Sequence, residues 1–156
     1  MLMEVLICDG WSIYFHPEFA VQWNEQVSLV KDLSKKLDRK EFVEHSEVKL
    51  LASLRSCIKE KIPLNPHAAY FMLKKGLKKY RRLKKMGLPS RYRLFFKAGV
   101  IGKKKVIVIL WLGYPRRQGD KKNDCYEKFN RKLANQIFPE ALPDLVAQCT
   151  KAVSSF

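Results

Sequence analysis

Basic side chains that could bind phosphates are concentrated in the middle of this 156-residue chain. Between Lys61 and Gly119 there are 17 Lys and Arg residues and no Asp or Glu, whereas the remaining residues carry a net charge of −1. Such a segment repels itself, and the usual compensation is an anionic partner whose counterions are released on binding. A merely solubilising face normally mixes both signs of charge. The pattern therefore favours a polyanion, most simply RNA.

Four of these cations fall at alternating positions of two adjacent predicted strands. Arg82 and Lys84 share one face of the first strand, and Arg91 and Arg93 share one face of the second. If both pairs point outward, they line one surface able to hold a phosphate and stabilise charge that develops on it. Further candidates for RNA binding flank these four: Lys79, Arg81, Lys85, Arg116, Arg117 and Lys122.

Tyrosines are interleaved with the basic residues, and their rings could stack on unpaired bases. The four are Tyr80, Tyr92, Tyr114 and Tyr126. The alternative for each of them is core packing. That alternative is favoured for Tyr92, which is opposite in phase to Arg91 and Arg93, and it stays open for Tyr126.

RNA cleavage needs a base for the 2′-hydroxyl, stabilisation of the phosphorane charge, and an acid for the leaving oxygen. A metal-dependent nuclease would cluster carboxylates, but the basic segment has none, and Asp9, Asp120 and Asp124 make an unconvincing cluster. The three histidines are far apart, and His16 is expected to cap a helix. Lysine or tyrosine chemistry remains, because crowding by like charges lowers a lysine pKa. We therefore expect no metal and no cofactor.

The N-terminal half predicts one strand followed by a helical hairpin. Residues 11–15 alternate as a strand, and Pro17 suits the first turn of a helix whose apolar stripe runs from Phe19 to Leu37. A charged link at residues 38–40 leads to a second helix, with its stripe from Leu51 to Ile62.

Three strands are predicted next, at residues 77–85, 91–97 and 105–112, separated by a turn at 87–90 and a loop at 98–104. The third strand is apolar almost throughout, as expected of a strand covered on both faces. Asn123 could cap a third helix carrying Tyr126, Phe129 and Leu133, and a short last helix follows Pro143. The order β-α-α-β-β-β-α-α predicts an α+β sandwich, with helices on one side of a curved, mainly antiparallel sheet.

Length and composition predict a single domain. The four cysteines are scattered, which disfavours a disulfide framework or a zinc site. No apolar run approaches the length of about 20 residues that crosses a bilayer, and the first eight residues do not form a signal peptide. We therefore expect a cytoplasmic protein without a membrane partner.

Four segments in order resemble the YhaV family of toxins: residues 10–19 (GWSIYFHPEF), 91–97 (RYRLFFK), 106–113 (VIVILWLG) and 119–129 (GDKKNDCYEKF). The family belongs to the RelE-like superfamily of bacterial toxin–antitoxin systems. The resemblance implies a single RelE-like toxin domain over residues 1–156, with a β-α-α-β-β-β-α sandwich fold. It also implies cleavage of mRNA that halts translation, an antitoxin encoded alongside, and metal-free chemistry that uses basic side chains and often a tyrosine.

Site residues can be carried over where the motifs match. Arg91 and Arg93 match the central strand, and Lys121, Lys122 and Tyr126 match the last motif. Arg82 and Lys84 match only by their place in the preceding strand, and the loop before residue 120, which holds Arg117, departs from the family pattern. The candidate catalytic residues are thus Arg82, Lys84, Arg91, Arg93, Lys121 and Tyr126.

The function implied is that of a metal-independent endoribonuclease toxin, free or associated with the ribosome. Its antitoxin would lay an acidic segment across Arg82, Arg91 and Arg93, because charge complementarity sets specificity and raises the association rate. An alternative is a basic module that binds RNA or the ribosome and blocks translation without cutting. A DNA-binding regulator is less consistent, because no helix-turn-helix with a basic recognition helix is present.

Overall fold

The computed structural model describes residues 6–73, 77, 79–113 and 124–151. The strands are β1 (Ile7–Cys8), β2 (Trp11–Phe15), β3 (Arg81–Leu83), β4 (Arg93–Ile101), β5 (Lys104–Gly113) and β6 (Thr150–Lys151). The α-helices are α1 (Pro17–Lys36), α2 (Arg39–Glu44), α3 (Ser46–Ser56), α4 (Ile62–Leu64), α5 (Cys125–Ala134) and α6 (Leu142–Ala147). None of the helices in the described part of the chain is long and apolar enough to span a membrane.

The strands form one sheet in the order β1-β2-β5-β4-β3, and β6 also pairs with β2. The β2–β5 pair is parallel, with Ile13 opposite Ile107, whereas β4 is antiparallel to both β5 and β3. The predicted α+β class and mainly antiparallel sheet are therefore confirmed. β3 is the last strand of this order, and Met72 forms an isolated β-bridge with Arg81 at its start.

The first helix begins where the sequence predicts, because His16 and Pro17 together favour a helix start. The Nδ1 atom of His16 accepts a hydrogen bond of 3.1 Å from the backbone N–H of Glu18, which would otherwise lack a partner. Pro17 occupies the first turn, where its missing N–H costs nothing. Phe19 and Trp23 on the inner face of α1 are buried against the sheet.

Helices cover both faces of the sheet, so the prediction of helices on one side only is wrong. On one face Ile13, Phe15 and Ile107 pack with residues of α1 and α3. On the other face Phe95 packs with Phe129 of α5, beside Leu145 of α6. The physical reason is that β5 is apolar at every position from residue 106 to 112 and needs cover on both sides.

Several predicted boundaries also need correction. The predicted loop at 98–104 is strand almost throughout, since β4 and β5 are joined by a tight turn at Gly102 (φ +61°). Of the predicted strand at 77–85, the structure describes residues 77 and 79–85, and among these only β3 is strand. The charged link at 38–40 is instead the start of α2, with Asp38 as its N-cap. The second helix is divided, because a π-helical turn, Cys57–Lys61, separates α3 from α4.

Candidate active site

A tyrosine and two arginines meet where β3 and β4 face helix α5. The Nε atom of Arg93 donates a hydrogen bond of 3.1 Å to the hydroxyl oxygen of Tyr126. The guanidinium carbon of Arg82 lies 6.0 Å from the centre of the same ring, at the range of a cation–π contact. We call Arg82, Arg93 and Tyr126 the arginine–tyrosine cluster. Both cations could contact an anion bound beside the tyrosine hydroxyl.

The register of the sheet explains why the two arginines meet. Arg82 lies directly opposite Phe95 in the β3–β4 pair. Arg93 is two residues before Phe95, and side chains two apart in a strand share a face. The Phe95 ring packs against the cluster, because it contacts the Tyr126 ring edge-on with 5.8 Å between the ring centroids.

Burial makes Arg82 unusual among the cations. Its side chain is only 9% exposed. One terminal nitrogen donates a bond of 3.3 Å to the carbonyl of Met72, but Nε and the other terminal nitrogen have no hydrogen-bond partner among the described residues. A buried charge without full hydrogen bonding is costly. An anionic ligand at this point would remove that cost.

Helix α5 is held close to the sheet by a small residue and by its cap. A Cβ on Gly113, the last residue of β5, would lie 2.6 Å from the Cβ of Cys125, so only glycine lets the helix start here. Asp124 caps the helix by accepting a 3.2 Å bond from the backbone N–H of Tyr126. The predicted cap, Asn123, is therefore corrected by one residue. The packing role of Gly113 could have been inferred from the sequence, because a glycine directly after an apolar strand indicates close packing.

Those of the remaining predicted residues that the structure describes are not brought into one group. Lys84 is exposed just after β3, and Lys85 next to it is exposed with φ +61°. Arg91 precedes β4 with φ +73°, so its predicted strand phase with Arg93 is wrong. Arg81 lies on the opposite face from Arg82, near His67, whose pKa is lowered by burial and, to a smaller extent, by the charge of Arg81.

Lys79 does not join the cluster, because it is ion-paired with Glu140. Four further candidates lie outside the described residues: Arg116, Arg117, Lys121 and Lys122. Among the tyrosines, Tyr80 is 7% exposed in the core against Phe129, so the stacking role considered for it is wrong. Tyr92 packs against the core, as predicted, and Tyr114 also lies outside the described residues.

Other reactive side chains do not supply an alternative centre. Burial raises the pKa of the Cys125 thiol to about 11, so the thiolate needed for nucleophilic attack is scarce. Burial lowers the pKa of Lys97, but this amine bonds the Glu140 carbonyl at 2.6 Å, away from the cluster. Over the described residues there is no group of three or more His, Cys, Asp or Glu side chains suited to hold a metal ion.

Comparison with known proteins identifies the family. A family described as "toxin with endonuclease activity, of toxin-antitoxin system" matches residues 13–150. The chain belongs to the YhaV family. The match runs from Ile13 within β2 to Thr150 in β6, and it therefore includes every member of the arginine–tyrosine cluster.

Curated YhaV proteins are similar over most of their length. The chain is 34% identical over 132 residues to "Ribonuclease toxin YhaV" of Escherichia coli K12, which covers 80% of this chain and 82% of that protein. The same identity and coverage hold for "Toxin YhaV" of Escherichia coli O157:H7. No solved structure matches the chain. The arginine–tyrosine cluster thus lies in a chain of a toxin family with endonuclease activity.

Proposed function

We propose that this YhaV-family chain is an endoribonuclease toxin that cleaves mRNA without a metal ion and so inhibits translation. The observation that carries the proposal is the arginine–tyrosine cluster. Arg82 is buried with two nitrogen atoms that lack partners in the described chain, and it faces the ring of Tyr126, whose hydroxyl Arg93 holds in place. A phosphodiester would supply the missing acceptors for Arg82.

The reaction that fits these groups is attack by the ribose 2′-oxygen on the adjacent phosphorus. The bond from phosphorus to the 5′-oxygen breaks, which leaves a 2′,3′-cyclic phosphate and a 5′-hydroxyl. Arg82 and Arg93 would stabilise the extra negative charge on the phosphorane oxygens. The 2′-hydroxyl proton needs a base, for which exposed Lys84 and the carried-over Lys121 are the candidates.

Tyr126 is proposed as the proton donor to the leaving 5′-oxygen. Arg93 donates to the phenol oxygen, and this bond occupies an oxygen lone pair while the hydroxyl hydrogen stays available to the substrate. The phenolate left after proton transfer would be stabilised by the adjacent guanidinium. Arg91 and Lys85 would contact phosphates farther along the RNA, because both side chains are exposed and lie next to β4 and β3, the strands that carry Arg93 and Arg82.

An experiment with purified protein and mRNA tests the proposal. We expect cleavage in EDTA, and fragments with cyclic phosphate and 5′-hydroxyl ends. An RNA with a single 2′-deoxy residue at the scissile position is the matched control and should stay intact. Loss of cleavage in EDTA that magnesium or manganese restores would refute the metal-free mechanism.

The same experiment with added ribosomes distinguishes an endoribonuclease from a module that blocks translation by binding alone. Inhibition of translation with intact RNA would favour the alternative, a module that binds RNA or the ribosome without cutting. Cleavage only with ribosomes present would assign the substrate as ribosome-bound mRNA. We propose the cytoplasm as the place of action, since mRNA is translated there.

The antitoxin partner is proposed to lay an acidic segment over Arg91 and Arg93, which would block the phosphate site. Opposite charges across this surface would mainly raise the association rate and set specificity. Mapping of the antitoxin contact by hydrogen exchange tests this. Protection confined to α1 and α3, with the strands of the cluster left open, would contradict it.

A further inference from the structure

An apolar pocket lies at the edge of the sheet, beside the end of β3 and outside the arginine–tyrosine cluster. Its volume is about 330 Å³, within the range of about 300–1,000 Å³ usual for small-ligand sites. Tyr70, Phe71, Lys84, Lys85 and Met86 line it. The pocket thus combines two aromatic rings and a thioether side chain with two cations, and no carboxylate is among these lining residues.

Tyr70 is an exposed aromatic side chain held in place by a buried one. It is 57% exposed, whereas Phe71 is fully buried. The two rings meet edge-on with 4.6 Å between centroids, and Phe71 in turn packs edge-on against Phe96 at 5.2 Å. A ring fixed before binding loses little entropy when it stacks on a ligand. Tyr70 is therefore suited to hold a flat partner.

The pocket is connected to the cluster through one short segment of backbone. Tyr70 is two residues before Met72, and the Met72 carbonyl accepts the hydrogen bond from buried Arg82. Met72 also forms a β-bridge with Arg81 at the start of β3. The segment that presents the Tyr70 ring thus also orients Arg82. The pocket and Arg82 are thus connected through residues 70–72 at the edge of the sheet.

An unusual loop presents the other side of the pocket. Lys85, Met86 and Gly87 all have positive φ, at +61°, +55° and +93°. Positive φ is unfavourable for the first two, and such strain concentrates at ligand-binding segments. Lys61 donates a hydrogen bond to the Met86 carbonyl and so stabilises the loop. The loop directs Lys85 and Met86 towards the rim of the pocket.

We propose that this pocket, the Tyr70 pocket, binds one unpaired nucleobase of the RNA substrate. The base would stack on Tyr70 with Met86 at its edge, while Lys85 contacts a flanking phosphate. The inference rests on the proposed function, because it assigns a second nucleotide position to the same RNA. The two rim cations and the connection to Arg82 favour RNA over an apolar side chain of a protein partner.

Binding of a short single-stranded RNA with 2′-O-methyl groups throughout tests the Tyr70 pocket, because this probe has no 2′-nucleophile and cannot be cleaved. We expect Tyr70→Ala to weaken its affinity about five- to a hundred-fold, the range for loss of one stacked base. Tyr70→Phe keeps the ring and should bind like the wild type. Val100→Ala removes a similarly exposed apolar side chain (59%) near the far end of β4 and should have no effect. Melting temperatures of all variants report on folding.

Two further measurements distinguish stacking from general charge. An abasic residue placed at each position of the probe in turn should weaken wild-type binding most at one position. An abasic residue at that position should not weaken binding to the Tyr70→Ala protein any further, since the ring on which the base stacks has already been removed. The dependence of log affinity on log salt should be unchanged in Tyr70→Ala, whereas Lys85→Ala should lower its slope by about 0.7.

Failure of the pocket and failure of the nuclease give different results. If wild-type protein shows the abasic signature but leaves unmodified RNA intact, the pocket stands and the endoribonuclease proposal fails. If wild-type protein cleaves RNA and Tyr70→Ala binds the probe with wild-type affinity, the pocket proposal alone fails. Normal RNA binding by Tyr70→Ala with loss of neutralisation by the adjacently encoded antitoxin would assign the pocket to that protein and overturn the proposal.

Discussion

Replacement of Tyr126 by Phe separates a chemical role of the hydroxyl from a packing role of the ring. The substitution keeps the edge-on contact with Phe95 at 5.8 Å and the ring face towards Arg82 at 6.0 Å. It removes one hydrogen bond of 3.1 Å from Arg93. Arg93 retains its other bond, of 2.8 Å, to the Tyr92 carbonyl. The variant should therefore fold and hold both arginines near their places.

The expected effects of Tyr126→Phe on stability and on the cleavage rate follow from the one hydrogen bond that it removes. A single hydrogen bond contributes about 1 kcal/mol to stability, which lowers the melting temperature of a domain of this size by about 2–4 °C. Loss of a general acid typically lowers the rate by about 10²–10⁴-fold, and loss of one transition-state hydrogen bond by about tenfold. We therefore expect Tyr126→Phe to lower the cleavage rate at least about tenfold, with nearly unchanged affinity for the uncleavable probe.

Tyr14→Phe is the matched control, because its hydroxyl also accepts a hydrogen bond from a cation. The Nζ atom of Lys104 donates to it at 2.6 Å, at the start of β5, whereas Arg93 of the cluster lies opposite Gly113 at the end of that strand. Single-turnover cleavage should be unaffected in this control. A Tyr126→Phe protein that cleaves at the wild-type rate would assign Tyr126 to packing alone, and would leave the chemistry to lysine and arginine.

Three other substitutions test the structure. Arg82→Met removes a buried charge with unpaired nitrogens, so thermal melts should show equal or higher stability while cleavage falls; a large loss of stability would contradict this. Gly113→Ala should cost about 1–3 kcal/mol in denaturant unfolding, because its Cβ would meet that of Cys125; unchanged stability would show that α5 yields freely. Burial lowers the pKa of His16 below its usual 6.5, so the unfolded chain takes up the proton at a higher pH than the folded protein does. The stability of the wild type should therefore fall as the pH drops below about 6.5. His16→Asn keeps a helix cap and should lose that part of the pH dependence. An equal pH dependence in both proteins would refute the role of His16.

Local signals in the sequence predicted the elements whose ends are set locally. The start of α1 at Pro17 and the strand Trp11–Phe15 are as predicted, since a cap, a proline and an apolar pattern define them. The prediction of a loop at 98–104 is wrong because it treats both glycines of this segment as turn residues. Gly99 instead lies within β4, where a Cβ would come 2.8 Å from the Leu142 side chain. A contact between residues so far apart in sequence is absent from any local pattern.

The sequence predicted which residues belong to the candidate site, but not how they are arranged in space. The basic segment and the motif match indicated Arg82, Arg93 and Tyr126 individually. Their meeting depends on the pairing of Arg82 with Phe95 and on the packing of α5 against Gly113. Arg91 shows the limit of counting alternate positions, because a positive φ at this residue takes it out of the strand phase of Arg93.

Arg82 shows how stability and function are connected in this fold. A sequence selected for stability alone would place an apolar residue opposite Phe95, since a buried guanidinium with incomplete hydrogen bonding lowers stability. The chain tolerates the cation because Phe95 and its neighbours on both faces of the sheet bury enough apolar surface to offset it. The same burial removes competing water, so that a phosphate at this position would interact with the guanidinium more strongly than at an exposed lysine. We therefore expect a phosphate bound at this position to gain most from Arg82, because the guanidinium is buried and lacks part of its hydrogen bonding within the described chain.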